Sequence, residues 1–335
     1  MRHQGGPDPA GRARRLDPRR IRTAEGSKAL SISIEPIDLR YLGLPGAIAC
    51  WLCRGDGRAV LIEAGPARSM EQLSSGLAEH GLAIEELDAC LVTHIHLDHA
   101  GAAGHLAERG VPIHVHEFGV RHLVDPSKLL SSATRIYGAA MDTLWGETIP
   151  APEAMVHPVL DGQELVFGPL RFRAIETPGH ARHHHVFELD LGDESVCFSG
   201  DAAAMLLPNT DFISIPTPPP EFNLQAWKET IHRLRNGSWS RLHLTHGGSV
   251  EASSDHLSRL ETELEEQVEW IRAWSEEGID RRELHSRYRQ ALIERARACE
   301  IDDQTFDSYA SEHLLGMNIS GIQRWLGQQE QESDG

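Results

Sequence analysis

The sequence has no apolar stretch long enough to cross a membrane, and it has little positive charge for its size. Its longest clean apolar run, Ala47 to Cys53, is closed by Arg54, whereas a membrane helix needs about 18 or more such residues. The 335 residues include 32 Lys and Arg against 50 Asp and Glu, a formal charge of −18. This balance argues against nucleic acid and anionic lipid as partners, because both need a positive protein surface.

Cysteine is also scarce, with five residues in the chain. An odd number of cysteines without the apolar core of a secretory signal indicates a reducing compartment, so we expect a cytoplasmic protein without a disulfide framework. Cys50 and Cys53 lie three apart on a predicted strand and should face opposite sides of it. We therefore interpret them as buried apolar residues and not as a metal or redox pair.

Several catalytic motifs are missing. The chain has no G-x-S-x-G nucleophile elbow, no G-x-x-x-x-G-K-[ST] phosphate loop and no G-x-G-x-x-G dinucleotide fingerprint. A serine nucleophile and a nucleotide cofactor are thus not indicated.

Three regions differ in pattern. Residues 1–30 hold eight Lys and Arg against three acids and almost no large apolar residues, which predicts a disordered basic tail. Residues 31–250 contain two series of strands with helices, and 117–155 form a mostly helical insert. From 251 to about 330, apolar residues recur at steps of three and four, which predicts a helical C-terminal extension. The apolar faces of these helices could pack on the preceding domain or form a homodimer.

Histidine is abundant, with 20 residues, and four ligand-type side chains crowd one segment. His94 and His96 lie two apart at the end of the apolar strand Leu87–Thr93, so they point the same way. Asp98 and His99 follow as the chain turns into a helix. Imidazole and carboxylate ligands suit Zn, Fe or Mn, and four of them within six residues could serve two neighbouring metal ions.

This H-x-H-x-D-H segment resembles the signature of the metallo-β-lactamase superfamily. Three later motifs follow in the order of that family, each after a predicted strand: Thr177-Pro178-Gly179-His180, Ser199-Gly200-Asp201 and Leu244-Thr245-His246-Gly247. An aspartate at position 201, together with Asp98 and His99, is similar to the glyoxalase II-like hydrolases and the lactonases of this superfamily. The true β-lactamases commonly have cysteine there.

The resemblance implies an α/β fold, a four-layer αβ/βα sandwich with its site at one edge of two sheets. It implies that His94, His96 and His180 hold one metal, that Asp98, His99 and His246 hold a second, and that Asp201 bridges them. Two zinc ions are expected, with Fe or Mn as alternatives. A metal-bridging hydroxide would attack the carbonyl of a thioester, ester or lactone, a small-molecule substrate. Asp98 would pass a proton to the leaving group.

Other residues are assigned less directly. Tyr137 is a candidate donor to the leaving oxygen, because lactonases of the superfamily use such a tyrosine, although packing in an amphipathic insert explains it too. Phe118, Met141, Trp145 and Phe222 could line an acyl pocket or belong to the core. Glu63 occupies a position where relatives have Asp and could support the ligands. In the run His183-His184-His185, one imidazole could support the ligands or contact substrate, but exposed imidazoles at the start of a strand are the favoured interpretation.

Two alternative functions remain open. The same scaffold holds a single iron in persulfide dioxygenases, which here would use His94, His180 and Asp201. The second alternative is a metal-bound regulatory or ligand-binding protein whose C-terminal helices bind a partner.

Overall fold

Two six-stranded sheets form the centre of the protein. The computed structural model describes residues 32–252 and 255–333, so the predicted basic tail at 1–30 lies outside the described residues. The strands of the first sheet lie side by side in chain order. They are β1 (Ser33–Asp38), β2 (Ala49–Gly55), β3 (Arg58–Ile62), β4 (Ala89–Leu91), β5 (Ile113–His116) and β6 (Val156–Val159).

Helices connect the parallel part of this sheet. β1, β2 and β3 pair antiparallel through short connections, whereas β3 to β6 run parallel. Parallel neighbours need long crossovers, and helices supply them. These are α1 (Met70–Glu79), α2 (Leu97–Ala100), α3 (Ala103–Glu108), α4 (Glu117–Val124), α5 (Ser127–Tyr137) and α6 (Met141–Leu144). The last three make up the predicted helical insert.

The second sheet also has six strands. They are β7 (Glu164–Phe167), β8 (Leu170–Glu176), β9 (His185–Asp190), β10 (Ser195–Phe198), β13 (Trp239–His243) and β14 (Ser249–Glu251). Across the sheet they lie in the order β14-β13-β10-β9-β8-β7. A two-stranded hairpin, β11 (Met205–Leu206) with β12 (Ile213–Ser214), lies between β10 and β13 along the chain. Helix α7 (Leu224–Arg235) leads back into the sheet.

The two sheets pack face to face over an apolar core. Along β8 the side chains alternate: Leu170, Phe172 and Ala174 are buried, while Arg171 and Arg173 are exposed. The buried set packs against residues of β2 such as Trp51 and against Phe198 of β10. Period-2 alternation places one face of a strand in the core, as the sequence pattern predicted.

Helices cover both outer faces, which confirms the four-layer αβ/βα sandwich. The helices from α1 to α4 bury the outer face of the first sheet in one cluster that includes Cys50, whereas Cys53 lies between the sheets. The two cysteines are buried and free on opposite sides of β2, as expected.

The C-terminal helices pack onto the outer face of the second sheet. They are α8 (His256–Glu276), α9 (Arg281–Ala298), α10 (Asp303–Tyr309) and α11 (Glu312–Ser333). Their apolar residues share one continuous cluster with Trp227 and Leu234 of α7. The last two helices, α10 and α11, are separated near Ala310. Within the described ranges, no helix is both long and apolar enough to cross a membrane.

Candidate metal centre

The histidine-rich segment follows β4 and turns into α2. His96 is the residue before the first turn of α2, and Asp98 and His99 lie within that turn. His94 and His99 are fully buried, whereas Asp98 keeps about a quarter of its side chain exposed. The strand end and the helix start thus direct four ligand-type side chains into one space.

One group of imidazoles comes from this segment and from the connection between β8 and β9. His94 Nε2 lies 2.9 Å from His96 Nδ1. His180 Nε2 lies 3.2 Å from His94 Nε2 and 2.8 Å from His96 Nδ1. The three ring nitrogens therefore face one small space.

A second group lies beside the first. His246 Nε2 is 3.4 Å from His99 Nε2 and 3.6 Å from Asp98 Oδ2. Asp201 separates the two groups: its Oδ2 lies 3.4 Å from His180 Nε2, while its Oδ1 lies 3.3 Å from His99 Nε2. All seven residues singled out in the sequence are thus brought together, in the predicted two sets.

The outer ring nitrogens of four of these histidines have fixed acceptors. His180 Nδ1 donates to the carbonyl oxygen of Pro216 at 2.8 Å, and His246 Nδ1 donates to that of Ala47 at 2.7 Å. His99 Nδ1 donates to Glu63 Oε1 at 3.0 Å. Because the Thr93 hydroxyl donates its own proton to Glu63, it accepts a hydrogen bond from His94 Nδ1. Each proton is thereby held outside, and each Nε2 turns a bare lone pair inward.

Inward lone pairs at about 3 Å from one another repel unless a cation lies between them. The buried Asp201 Oδ1 also has no hydrogen-bond partner among the described residues. Unpaired buried acceptors of this kind fit divalent metal ions, which take imidazole nitrogen and carboxylate oxygen as ligands. The residues present therefore fit metal binding.

Electrostatics hold His94 and Asp201 in the protonation states that metal ligands need. Burial would lower the pKa of His99, but Asp201 and Glu63 outweigh it and raise that pKa, so a metal ion would displace a proton there. Burial and the neighbouring imidazoles, His99 and His96 foremost, hold the pKa of His94 well below its usual value. Burial would raise the pKa of Asp201, but His99 and His180 outweigh it and hold that pKa well below its ordinary range. His94 is thus a neutral donor and Asp201 an anion at neutral pH.

Glu63 supports the second group from behind. Its fully buried carboxylate accepts from the Thr93 amide at 3.1 Å, from the Thr93 hydroxyl at 2.6 Å and from the Thr245 hydroxyl at 3.2 Å, in addition to His99. Thr93 directly precedes the ligand position His94, and Thr245 directly precedes His246. The sequence raised this role for Glu63, but its two threonine partners were missed.

The interpretation of His183, His184 and His185 as exposed was wrong. All three are buried, at 6%, 0% and 0% exposure. They lead into β9, which begins at His185, and lie in the interior beneath the site. His184 Nδ1 contacts the Thr177 hydroxyl at 2.8 Å, and its Nε2 accepts from the Asp201 amide at 3.2 Å. It thereby fixes the loop that carries Asp201, helped by Gly200, at which a Cβ would lie 2.5 Å from Thr93 Oγ1.

A further His and Glu group lies nearby, but its geometry is not that of a metal site. His116, Glu176 and His185 approach one another at the ends of three strands. The two imidazoles stack at 4.5 Å with an angle of 27°, and His116 Nδ1 accepts from the Phe118 amide. Stacked rings cannot direct lone pairs at one ion, so this group is better explained as packing of the sandwich edge.

The candidate ligands open into a cavity of about 410 Å³. Helices α4, α5 and α11 contribute to its walls, and the lining is largely apolar. Of the predicted pocket residues, Phe118 and Trp145 line it. Phe222 instead packs against Trp227 and Trp325 in the core beneath the second sheet. Met141, within the insert, packs against the cluster of Leu97, Ala133 and Trp145.

Tyr137 lines the same cavity, with its ring edge against Trp145. Its hydroxyl points to Met317 Sδ at 3.6 Å, on helix α11. Burial raises the pKa of Tyr137 above its ordinary value, and Asp98 adds to this rise. The phenol is therefore a protonated donor near the site, and its role toward substrate stays a prediction.

Helix α11 reaches the site through one buried amide. Asn318 Nδ2 donates to the Ile215 carbonyl at 2.7 Å, and its Oδ1 accepts from the Thr217 amide at 2.9 Å. Between these two lies Pro216, whose carbonyl holds His180. Gly321 allows the close approach, because a Cβ there would lie 1.8 Å from the Thr217 oxygen.

We expect Asn318→Ala to lower the free energy of unfolding by about 2–5 kcal/mol, because a buried carbonyl and a buried amide lose their partners. Metal affinity should fall about tenfold as His180 loses its fixed orientation. Urea unfolding and competition with a chromophoric chelator measure the two effects. Gln304→Ala on the exposed face of α10 is the matched control. Unchanged values for Asn318→Ala would contradict this coupling.

Comparison with known proteins places the site in a family context. A sequence profile described as "Metallo-beta-lactamase superfamily" matches residues 43–246. A metallo-beta-lactamase fold-containing protein, ST1585, from Sulfurisphaera tokodaii is 26% identical over 230 residues, covering 67% of this chain and 82% of that protein.

Two further similarities are informative. A metallo-beta-lactamase family protein, TTHA1429, from Thermus thermophilus superposes with a TM-score of 0.63 at 20% identity, covering 89% of this chain and 94% of that chain. That coverage requires helices beyond residue 250, so the fold likeness extends into the C-terminal region. An atrochrysone carboxyl ACP thioesterase from Aspergillus fumigatus is 33% identical over 144 residues, which are 42% of this chain and 35% of that protein.

Proposed function

Because the chain belongs to the metallo-β-lactamase superfamily, we propose that it is a dinuclear zinc hydrolase that cleaves a thioester, ester or lactone. The observation that carries this proposal is the arrangement of inward-facing lone pairs around the unpartnered oxygen of Asp201. Bound divalent ions would supply a hydroxide nucleophile at neutral pH and polarise a carbonyl.

In this proposal His94, His96 and His180 would hold one ion, Asp98, His99 and His246 would hold the other, and Asp201, which lies between the two groups, would be shared. The similarity to a protein described as an ACP thioesterase favours the thioester class.

Residues of the cavity would provide proton transfer to the leaving group and would bind the acyl portion. Asp98 lines it and is partly exposed, so its carboxylate can pass a proton to the leaving group. Tyr137 can donate to the same group if its hydroxyl turns from Met317. The apolar walls exclude water and receive the acyl portion.

Metal analysis and a substrate panel test the proposal. Protein from medium supplemented with zinc and iron should contain two zinc ions per chain by plasma mass spectrometry. It should hydrolyse at least one of an octanoyl thioester of N-acetylcysteamine, an octanoate ester and an octanoyl homoserine lactone. Chelation should abolish turnover and zinc should restore it.

Two results would overturn the proposal. One iron per chain with oxygen consumption on glutathione persulfide would identify the dioxygenase. Fully zinc-loaded protein that is inactive on the whole panel would favour a binding protein.

A further inference from the structure

A cluster of basic side chains lies at the mouth of the cavity. Arg121 and His122 belong to α4, Lys128 lies at the start of α5, and Arg182 belongs to the connection between β8 and β9. The pKa of His122 is lowered, first by burial and then by Arg121 and Lys128. The Glu221 carboxylate opposes this effect, and Arg182 adds to it less strongly. Three cations from separate elements thus line the cavity, with one carboxylate among them.

Two of these cations have no carboxylate partner. Arg182 Nε lies 3.2 Å from Glu221 Oε1, so its charge is largely balanced. Arg121 Nε donates to His122 Nε2 at 3.2 Å. In the described part of the chain, neither Arg121 nor Lys128 forms an ion pair. The acid that Lys128 influences is Asp125, whose pKa is lowered mainly by hydrogen bonds from Ser127 and less strongly by Lys128. A positive mouth on a chain of charge −18 favours an anionic ligand.

An exposed aromatic ring adjoins the basic cluster. Phe118 also lines the cavity, yet about half of its side chain is exposed. The Arg182 guanidinium lies 6.0 Å from the centre of its ring. The ring also packs against His116, with ring centres 5.1 Å apart, so a planar base can stack on the exposed part that His116 and Arg182 leave open.

The other end of the cavity is apolar. Helix α5 runs along the wall from Lys128 to Tyr137, a distance of about 13 Å at the helical rise. Near Tyr137 the walls are formed by Trp145, Leu314 and Met317. The candidate metal ligands open into the same space. One cavity therefore combines a basic end, an apolar end and the reacting centre.

From this arrangement we infer that the substrates are acyl thioesters whose thiol half carries phosphate groups, with Arg121 and Lys128 binding the phosphates and the apolar end binding the acyl chain. This inference rests on the proposed hydrolase function. Water is added across the C–S bond: the acyl carbon gains a C–O bond and leaves as a carboxylate, the sulfur leaves as the thiol, and one proton is released. Arginine and lysine are the side chains that recognise phosphate in proteins.

Three substrates with one acyl chain test the inference: octanoyl-coenzyme A, octanoyl-phosphopantetheine and octanoyl-pantetheine. We expect kcat/KM to be about tenfold or more higher for the first than for the last, because only the last lacks phosphate. The double variant Arg121→Gln/Lys128→Gln should reduce that ratio to about one, mainly through KM. Phe118→Ala should lower kcat/KM for octanoyl-coenzyme A more than for octanoyl-phosphopantetheine.

Arg109→Gln, a change of the same kind on the exposed side of the first sheet, should leave all three rates unchanged. Equal kcat/KM for octanoyl-coenzyme A and octanoyl-pantetheine would overturn the inference while leaving the hydrolase proposal intact. An octanoyl carrier protein that is hydrolysed about tenfold faster than octanoyl-phosphopantetheine would also overturn it, since contacts with protein would then provide recognition. Failure to cleave any thioester would instead refute thioester hydrolysis itself.

Discussion

Asp201→Asn should yield a folded protein that holds at most one metal ion per chain and has a kcat/KM lower by about three orders of magnitude or more. The two oxygens of Asp201 face different histidine groups, Oδ2 toward His180 and Oδ1 toward His99 and His246. Asparagine keeps one acceptor and turns an amide N–H toward the other group. It also removes a negative charge that would offset the charge of two bound cations.

Metal content by plasma mass spectrometry and steady-state kinetics on the best substrate of the panel measure these effects. Asp193→Asn, on the exposed turn between β9 and β10, makes the same chemical change away from the site and should behave as wild type. Circular dichroism shows whether the fold survives, because the Asp201 amide still donates to His184. A variant with two metal ions and activity within about tenfold of wild type would show that Asp201 is not shared by both ions.

The clustering of the seven candidate ligands was predictable because they follow apolar strands in short local motifs. His94, His180 and His246 come soon after β4, β8 and β13, and strand ends on one side of a sandwich are close in space. His94 and His96 face one space as the two-residue spacing predicted, although β4 ends at Leu91 and the backbone bends at both histidines. The opposite burial of Cys50 and Cys53 followed from the same two-residue period.

The burial of the histidines that follow His180 could not be predicted locally. A run of polar residues at the start of a strand usually lies at an exposed edge. Nothing within this segment shows that the strand begins beneath the candidate metal centre. His184 is buried because Thr177 and the amide of Asp201, 17 residues away, provide partners. Short strands such as β6 escaped prediction because four residues with a proline give little periodicity.

Contacts from the C-terminal helices were equally invisible in the sequence. Asn318 lies on an amphipathic helix, where a single amide is usually exposed, yet it bonds the segment around Pro216 about a hundred residues earlier. The converging cations of the cavity mouth come from three separate elements. Charge counting along the chain gave the net value of −18 and the basic residues 1–30, but it could not show this local positive region.

Glu63→Gln is expected to weaken metal binding at Asp98, His99 and His246 by about 10–100-fold and to lower the free energy of unfolding by about 2–4 kcal/mol. Every contact of the Glu63 side chain is with a donor: the Thr93 amide and hydroxyl, the Thr245 hydroxyl and His99 Nδ1. A glutamine oxygen can replace Oε1, but its NH₂ then faces the Thr93 amide, donor against donor. With no carboxylate behind it, His99 also becomes a weaker ligand.

Chelator competition and urea unfolding of the metal-free protein separate the two consequences, since the second measures the hydrogen bonds alone. Glu63→Asp keeps the charge on a shorter side chain and should retain part of the metal affinity that Glu63→Gln loses. Glu71→Gln, exposed on α1, is the matched control. If Glu63→Gln and Glu63→Asp lower metal affinity equally, the length of the Glu63 side chain would matter and its charge would not. If neither lowers it, the carboxylate behind His99 would serve the fold and not the ligand.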